Sequence, residues 1–292
     1  MGITYAEIGC RNLSASLDFY RGMLGLRPLA DPPGPTPPGV AWLDAGPAGI
    51  RLVERPDGDL AGWEADDLQR GIRHVGFRVG SVPRYAERLA AAGVEFTLGP
   101  FQAPGDVWIA FFRDPDGANL EIVDRYLRYT TVVSPDLAEE ERRAAERRDP
   151  DAGPSFDHVA ITVADLDRAL AFYRDRLGYR VIGGIDQPHD PRGFRIHFLR
   201  AGAAVLEVFS FAAPTTGNPW DPERPRVGLR RIGVGPSGPT AGAADEADLA
   251  ARLCAAGATP VPGHPGLVTD PDGVPLCAHV PRPGRAPEAA AG

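Results

Sequence analysis

Short runs of alternating apolar and polar residues, each followed by a helical pattern, are the main signal in this chain. His74–Val79 and His158–Val163 both alternate as half-buried strands do. Two segments with helical spacing follow them, Pro83–Ala92 and Leu166–Leu177, and a glycine comes directly after each. Asp165 precedes the second segment as a candidate N-cap. The pattern therefore predicts a repeated strand–helix unit.

The same unit occurs four times. Leu13–Leu26 aligns with Leu166–Tyr179 without a gap at an offset of 153 residues, and Asp114–Gly117 matches Asp270–Gly273 at an offset of 156. The two halves of the chain thus repeat one another, and each half contains the strand–helix pattern twice. After each helix come further apolar strands separated by Pro/Gly turns. The predicted modules are residues 3–55, 70–127, 155–212 and 226–281.

The module ends predict the domain boundaries. We expect a first domain at 1–130, a second at 155–285 and a short tail at 286–292. The linker between them, 131–154, contains the charged run LAEEERRAAERR, which is typical of a helix on the surface.

Composition excludes several classes of function. The 292 residues are 43% hydrophobic and 24% charged, as in ordinary globular proteins, with room for two domains. A net charge of −8 without a Lys/Arg-rich block argues against nucleic-acid binding, and no apolar run approaches the roughly 18 residues of a membrane span. The start of the chain lacks a signal-peptide profile, and the three cysteines have neither disulfide-framework nor zinc spacing. We expect a cytoplasmic monomer or homodimer with a small-molecule substrate.

Two motifs carry a resemblance to a known family. The helices at Leu13 and Leu166 read L-x-x-[SA]-L-x-F-Y-x-x-x-L-G, and Asp114–Glu121 reads D-P-D-G-x-x-L-E. With the βαβββ period, these resemble the vicinal oxygen chelate superfamily, which includes glyoxalase I, epimerases, extradiol dioxygenases and bleomycin resistance proteins. The resemblance implies an α+β fold in which four βαβββ modules form two open, curled β-barrels. It also implies metal ligands in the first and last strands of each module.

Modules two and three have suitable residues at these implied positions. Module two offers His74 and Glu121, and module three offers His158 and Glu207. Both glutamates alternate with apolar neighbours, so they point to one side of their strands, where a charge is costly unless it is paired or bound to a metal. Two imidazoles and two carboxylates suit one divalent ion of Fe, Mn, Co, Ni or Zn.

Modules one and four have other residues at the same positions. Tyr5 and Arg51 stand in module one, and Arg231 and Cys277 in module four. Two arginines oppose a cation, so this set is either a purely structural remnant or a site that holds an anionic group.

The distribution of ligands favours one way of pairing the modules. Pairing in chain order, as in the family's extradiol dioxygenases, would give two half-sites, each containing an arginine. Nested pairing, two with three and one with four, unites all four metal ligands in one barrel. We therefore expect the nested arrangement, which fused relatives of glyoxalase I use.

The reaction stays open among three classes. The resemblance implies four protein ligands in the glyoxalase and epimerase relatives and three in the extradiol dioxygenases. The four candidates here therefore favour stabilisation of an enolate or enediolate, with Glu121 or Glu207 moving the proton, as in an isomerase, epimerase or glyoxalase-like lyase. An extradiol-type Fe(II) ring-cleaving dioxygenase is the first alternative, and a non-catalytic drug-binding resistance protein is the second. Trp108 and His197 lie on strands of modules two and three and are candidate pocket residues.

Overall fold

The computed structural model describes residues 1–32, 36–236 and 245–279 and contains four βαβββ modules. The predicted tail at 286–292 lies outside the described residues, as do the ends of the fourth module and of the second predicted domain beyond residue 279. In the described ranges, no helix is long and apolar enough to cross a membrane.

The first half of the chain contains two modules of the predicted type. Module one consists of β1 (Gly2–Cys10), α1 (Leu13–Leu17), β2 (Arg27–Pro28), β3 (Val40–Asp44) and β4 (Gly49–Glu54). Module two consists of β5 (Gly71–Arg78), α2 (Val82–Ala91), β6 (Phe96–Ala103), β7 (Val107–Arg113) and β8 (Asn119–Val123).

A linker with its own strand and helix leads to the second half. The linker contains β9 (Thr131–Val132) and α3 (Pro135–Glu146). Module three consists of β10 (Ser155–Thr162), α4 (Leu166–Leu170), β11 (Arg180–Asp186), β12 (Arg195–Ala201) and β13 (Ala204–Ser210). Module four consists of β14 (Gly228–Gly235), α5 (Glu246–Ala255), β15 (Thr259–Pro260), β16 (Leu267–Thr269) and β17 (Pro275–Ala278).

The modules pair across the two halves of the chain. Modules two and three, with β9, form the inner sheet, in the order β6-β7-β8-β5-β10-β13-β12-β11-β9. Modules one and four form the outer sheet, in the order β15-β16-β17-β14-β1-β4-β3-β2. Antiparallel pairing of β5 with β10, and of β1 with β14, joins the modules. This is the nested arrangement, and pairing in chain order is wrong.

The two repeated motifs bind each other within each half. The helical segments of modules one and three each continue from an α-helical start into a wider π-helical turn, Asp18–Met23 and Ala171–Arg176. The buried tyrosines of these turns donate hydrogen bonds to the first aspartates of the D-P-D-G turns, Tyr20 to Asp114 (2.9 Å) and Tyr173 to Asp270 (2.8 Å). The F-Y and D-P-D-G motifs are thus two sides of one buried contact.

The helix ends follow the expected capping chemistry. The Asp165 carboxylate accepts a hydrogen bond from the Arg168 amide at 3.0 Å, which confirms the predicted N-cap. Gly178 follows the segment with a φ of 78°, a conformation that glycine adopts without strain. The predicted single helix is correct in position, but its second half is π-helical.

Successive side chains of β5 face opposite sides of the inner sheet, so core residues and site residues lie on different faces. Val75 and Phe77 of β5 are fully buried and belong to one hydrophobic cluster with residues of the outer sheet such as Ile8. His74 and Gly76 point to the opposite, concave face of the inner sheet, because successive side chains of a strand alternate. The concave face is therefore available for polar chemistry.

The linker helix α3 is attached to the inner sheet along one side. Leu137 is buried with Ile182, Ile185 and Phe198 in a separate hydrophobic cluster. Ion pairs of the i, i+3 and i, i+4 type, such as Arg142 with Glu139, cover its outer side. The charged run thus forms the expected helix, which also packs against module three.

We predict that the two halves stay together after the linker is cut. A protease site inserted after the exposed residue Asp151 would separate modules one and two from three and four. Because each sheet contains strands of both halves, the cut protein is expected to elute as one particle in size-exclusion chromatography and to give two bands only after denaturation. Two separate native peaks would contradict the crossed sheets.

Candidate metal centre

Four adjacent strands of the inner sheet place the four predicted ligands on one face. Their order is β8, β5, β10 and β13, which hold Glu121, His74, His158 and Glu207 respectively. Ala160 lies in register with His74 on one side and with Glu207 on the other. All four side chains are at least mostly buried, with the two imidazoles 5% and 3% exposed.

The donor atoms converge on a common point. The Nε2 atoms of His74 and His158 lie 2.9 Å apart. Glu121 Oε2 is 2.9 Å from the Nε2 of His158 and 3.2 Å from that of His74, and Glu207 Oε2 is 3.7 Å from His74 Nε2. Donors about 2.0–2.2 Å from a shared ion lie roughly 3–3.5 Å from one another, so the set fits a divalent metal.

The electrostatics of this cluster favour a cation. Burial raises the pKa of Glu207 to about 8, and the charge of Glu121 adds to the rise. Burial also opposes ionisation of Glu121, but hydrogen bonds from His158 and His74 outweigh it and lower its pKa to about 2. Burial likewise lowers the pKa of His74, whereas the negative charge of Glu207 and the contact with Asp157 outweigh burial and raise that of His158. The carboxylates thus draw positive charge into the cluster.

Asp157 orients the second imidazole, and sequence reasoning missed it. Its Oδ2 lies 3.0 Å from His158 Nδ1, while its Oδ1 accepts a hydrogen bond of 2.5 Å from Arg78 Nε. Arg78 also donates to the carbonyl of Arg125. Consecutive strand residues usually face opposite sides, but the pairing of β10 with β5 shifts register between Phe156 and His158. Such a carboxylate fixes the tautomer of a ligating histidine.

Two glycines make room for the aromatic rings at the centres of the sheets. Gly76 pairs with His158, and a Cβ on it would lie 2.0 Å from the imidazole Cε1. Gly233 pairs with Tyr5 in the outer sheet, and a Cβ on it would lie 2.1 Å from the phenol ring. Tyr5 therefore occupies the place that corresponds to His158.

The four predicted ligands line a cavity of about 380 Å³ between modules two and three. Its walls are largely apolar and include Val107, Ile109, Ile196 and Phe198, with Glu141 of α3 on one side. The predicted pocket residues Trp108 and His197 are not among the residues that line it. Each stands between two lining residues on its strand, so it points to the other face.

In the outer sheet, the two arginines of the corresponding set contact a buried glutamate. Glu7 lies on β1 in register with Arg51 of β4 and Arg231 of β14, at the place of Ala160 in the inner sheet. Its carboxylate is fully inaccessible and contacts Arg51, the Nε of Arg231 at 3.0 Å and the Nε of Arg230 at 3.1 Å. The chain itself thus supplies an anion for these arginines.

The remaining two positions of the outer set are consistent with a structural role. Burial raises the pKa of Tyr5, which keeps its phenol neutral, and the ring packs edge-on against Trp42 at 5.0 Å and His279 at 4.9 Å. Cys277 is a free, partly buried cysteine. Guanidinium groups at two of the four positions repel a dication, so this set does not fit a metal.

Removal of the buried carboxylate is expected to destabilise the protein strongly. Glu7→Ala leaves three arginines without their anion, which costs about 3–5 kcal/mol of unfolding free energy. Glu7→Gln, which keeps the shape but removes the charge, is expected to lose most of the same amount. Urea-induced unfolding measures both, with the exposed Glu87→Ala as control. A loss below about 1 kcal/mol in Glu7→Ala would mean that the cluster is not a structural ion group.

Comparison with known proteins supplies a family and several relatives. The chain is 28% identical over 180 residues to the protein named lactoylglutathione lyase GLX1 of Arabidopsis thaliana, covering 61% of this chain and 54% of that protein. It is 26% identical over 146 residues to glyoxalase I of Saccharomyces cerevisiae, covering 50% of this chain and 39% of that protein. The chain thus spans about half the length, or less, of these curated relatives.

Solved structures show the same fold. Glyoxalase I from Zea mays superposes with a TM-score of 0.62 at 20% identity, covering 94% of this chain and 90% of that one. A putative dioxygenase from Bacillus subtilis gives a TM-score of 0.56 at 17% identity, covering 94% and 84%. The family model of the glyoxalase/bleomycin resistance protein/dioxygenase superfamily matches residues 2–122 and 155–277. These matches cover most of both halves, and the chain belongs to this superfamily.

Proposed function

We propose that this chain is a divalent-metal-dependent lyase of the glyoxalase kind, acting on a small substrate with two adjacent oxygen atoms. The observation that carries the proposal is the convergence of two imidazoles and two carboxylates at the base of a mostly apolar cavity. The relatives named lactoylglutathione lyase and glyoxalase I support the same class of reaction.

The metal would be held by His74, Glu121, His158 and Glu207. When bound, a divalent ion supplies Lewis-acid stabilisation of the negative charge that develops on a substrate oxygen. Asp157 and Arg78 keep the His158 ring in place, and the buried position of all four ligands keeps bulk water away.

The proton transfer is assigned to Glu207. Glu121 lies within 3.2 Å of both imidazoles and is therefore fixed, whereas Glu207 approaches them no closer than 3.6 Å and is the more exposed carboxylate, at 12% against 7%. A base must reach the substrate carbon, so the looser carboxylate is better suited to this role. In an α-hydroxy carbonyl substrate, Glu207 would take the proton from the hydroxyl-bearing carbon and return it to the former carbonyl carbon. The hydroxyl proton would pass to the former carbonyl oxygen, so all atoms and protons are retained.

A ring-cleaving dioxygenase is the second candidate. His74, His158 and Glu207 alone form a two-histidine, one-carboxylate group whose donor atoms lie within 4.8 Å of one another, and such groups bind Fe(II) in oxygenases. Oxygen consumption with a catechol, together with bound iron, would favour this candidate over proton transfer.

Metal binding is predicted to depend on both halves of the chain. His74→Ala and His158→Ala are each expected to weaken Zn²⁺ binding by about 100-fold or more, because each removes a direct ligand. Cys277→Ser, in the outer sheet, serves as the control and is expected to leave the affinity unchanged. Isothermal titration calorimetry and metal analysis after dialysis measure the effect. Full Zn²⁺ affinity in either histidine variant would contradict the shared site.

Glu207→Gln is predicted to separate metal binding from proton transfer. With three ligands left, the variant is expected to bind metal at saturating concentration. Loss of the base is expected to slow exchange of the α-hydrogens of hydroxyacetone in D₂O by about 100- to 10,000-fold. NMR follows the exchange. Unchanged exchange in Glu207→Gln, at full metal occupancy, would assign the base elsewhere.

A further inference from the structure

The charges around the cavity restrict which chemical groups the substrate can have in addition to its two adjacent oxygen atoms. We infer that the substrate of this site has a compact, uncharged, apolar body, and that the site disfavours anionic carriers such as glutathione. The inference rests on the proposed function for the position of the reacting end, but it concerns the rest of the molecule.

Much of the cavity wall is apolar. It combines Phe101 and Ile109 of module two with Ile185, Phe198 and Phe209 of module three, and the Phe209 ring lies 5.8 Å from the imidazole of His74. Aromatic and branched side chains of this kind bind apolar groups through area removed from water. The volume of about 380 Å³ is near the lower end for ligand pockets, which favours a compact molecule.

Guanidinium groups reach this cavity, within the described part of the chain, from Arg78 and Arg192 alone. Arg78 is bound to Asp157 at 2.5 Å and to the carbonyl of Arg125. Arg192 holds Asp190 with two hydrogen bonds, of 3.0 and 2.7 Å. Both guanidinium groups are thus already paired with a carboxylate of the protein, which weakens their attraction for a carboxylate on the substrate.

Arg192 is held by further contacts as well. Its guanidinium lies 3.5 Å from Asp66 and stands over the ring of Phe211, 5.2 Å from the centroid. A guanidinium with two carboxylates and an aromatic face has few donors left for an incoming anion.

Carboxylates outnumber guanidinium groups on the lining. Besides the proposed ligands Glu121 and Glu207, whose charges a bound metal would balance, four acidic residues line the described part of the cavity, against two arginines. Glu141 of α3 is one of these four, and it is fixed by Tyr129 at 2.6 Å and Arg200 at 3.2 Å. Asp67, which lies in the segment between modules one and two, is another. An anionic body inside the cavity would therefore meet like charges that are screened little by water.

The inferred substrate therefore differs from the one that the names of the relatives indicate. Lactoylglutathione lyases are named after a glutathione adduct, and glutathione carries two carboxylates and one ammonium group at neutral pH. The cavity offers no unpaired guanidinium for either carboxylate among the residues described. A neutral thiol or an aromatic group in place of glutathione meets none of these repulsions.

The test compares two inert probes that share a benzyl thioether. Benzyl 2-hydroxyethyl sulfide is neutral, and S-benzylglutathione carries the charged tripeptide. Titration calorimetry with the Zn²⁺-loaded protein is expected to show at least tenfold tighter binding of the neutral sulfide. Equal or tighter binding of S-benzylglutathione would overturn the inference, as would absence of binding by the neutral probe.

A pair of variants tests the electrostatic cause. Asp190→Asn removes one carboxylate partner of Arg192 and is expected to strengthen S-benzylglutathione binding several-fold more than that of the neutral sulfide. Asp186→Asn is the matched control, because Asp186 pairs with Arg195 at 3.3 Å and neither residue lines the cavity. An equal change in both variants, or none in Asp190→Asn, would reject the charge argument. Hydroxyacetone exchange in D₂O reports independently on the proposed function, so the two failures are distinguishable.

Discussion

The antiparallel pairing of β5 with β10 is the interaction on which the site depends. It joins the two halves of the chain and places His74 opposite Ala160 and His158 opposite Gly76. Because a small residue faces each imidazole, the two rings meet across the seam instead of being blocked by their neighbours. A slip of one strand by one residue in this register would turn its histidine to the opposite face, towards the hydrophobic core, and separate the two rings.

The two sheets differ in how their buried carboxylate charges are compensated. Each buries carboxylates on its concave face, and a buried charge must be compensated. In the outer sheet the compensation is internal, since three arginines surround Glu7. In the inner sheet, Glu121 and Glu207 share only imidazoles, so the proposed bound cation would complete the compensation. The difference lies in the residues at matching register positions, such as Glu7 in the outer sheet and Ala160 in the inner sheet.

Sequence reasoning was most successful where the signal is a repeated motif. The four βαβββ modules and the superfamily follow from the F-Y helix and the D-P-D-G turn, and the buried tyrosine–aspartate contacts explain why both motifs persist. The four ligands are brought together where the nested pairing predicts. Features that depend on exact register could not be found: Asp157 reaches His158 only because of a bulge, and the direction of Trp108 depends on how β7 pairs with β8. Glu7 was visible as the one charge in the otherwise apolar GITYAEIGC strand, but its three arginine partners come from two strands that lie far from it in sequence, β4 and β14.

The crossed sheets also bear on how the two sites can change over time. A two-module chain that dimerised in this way would have two sites related by a twofold axis, and every substitution would appear in both. Joining the copies in one chain through residues 131–154 removes that constraint, because each position then exists once. Arginines can then stand at the ligand positions of one site, which has a structural role, while the other site has the four predicted ligands. In this chain, covalent linkage is what allows the two halves of a symmetric architecture to take on different tasks.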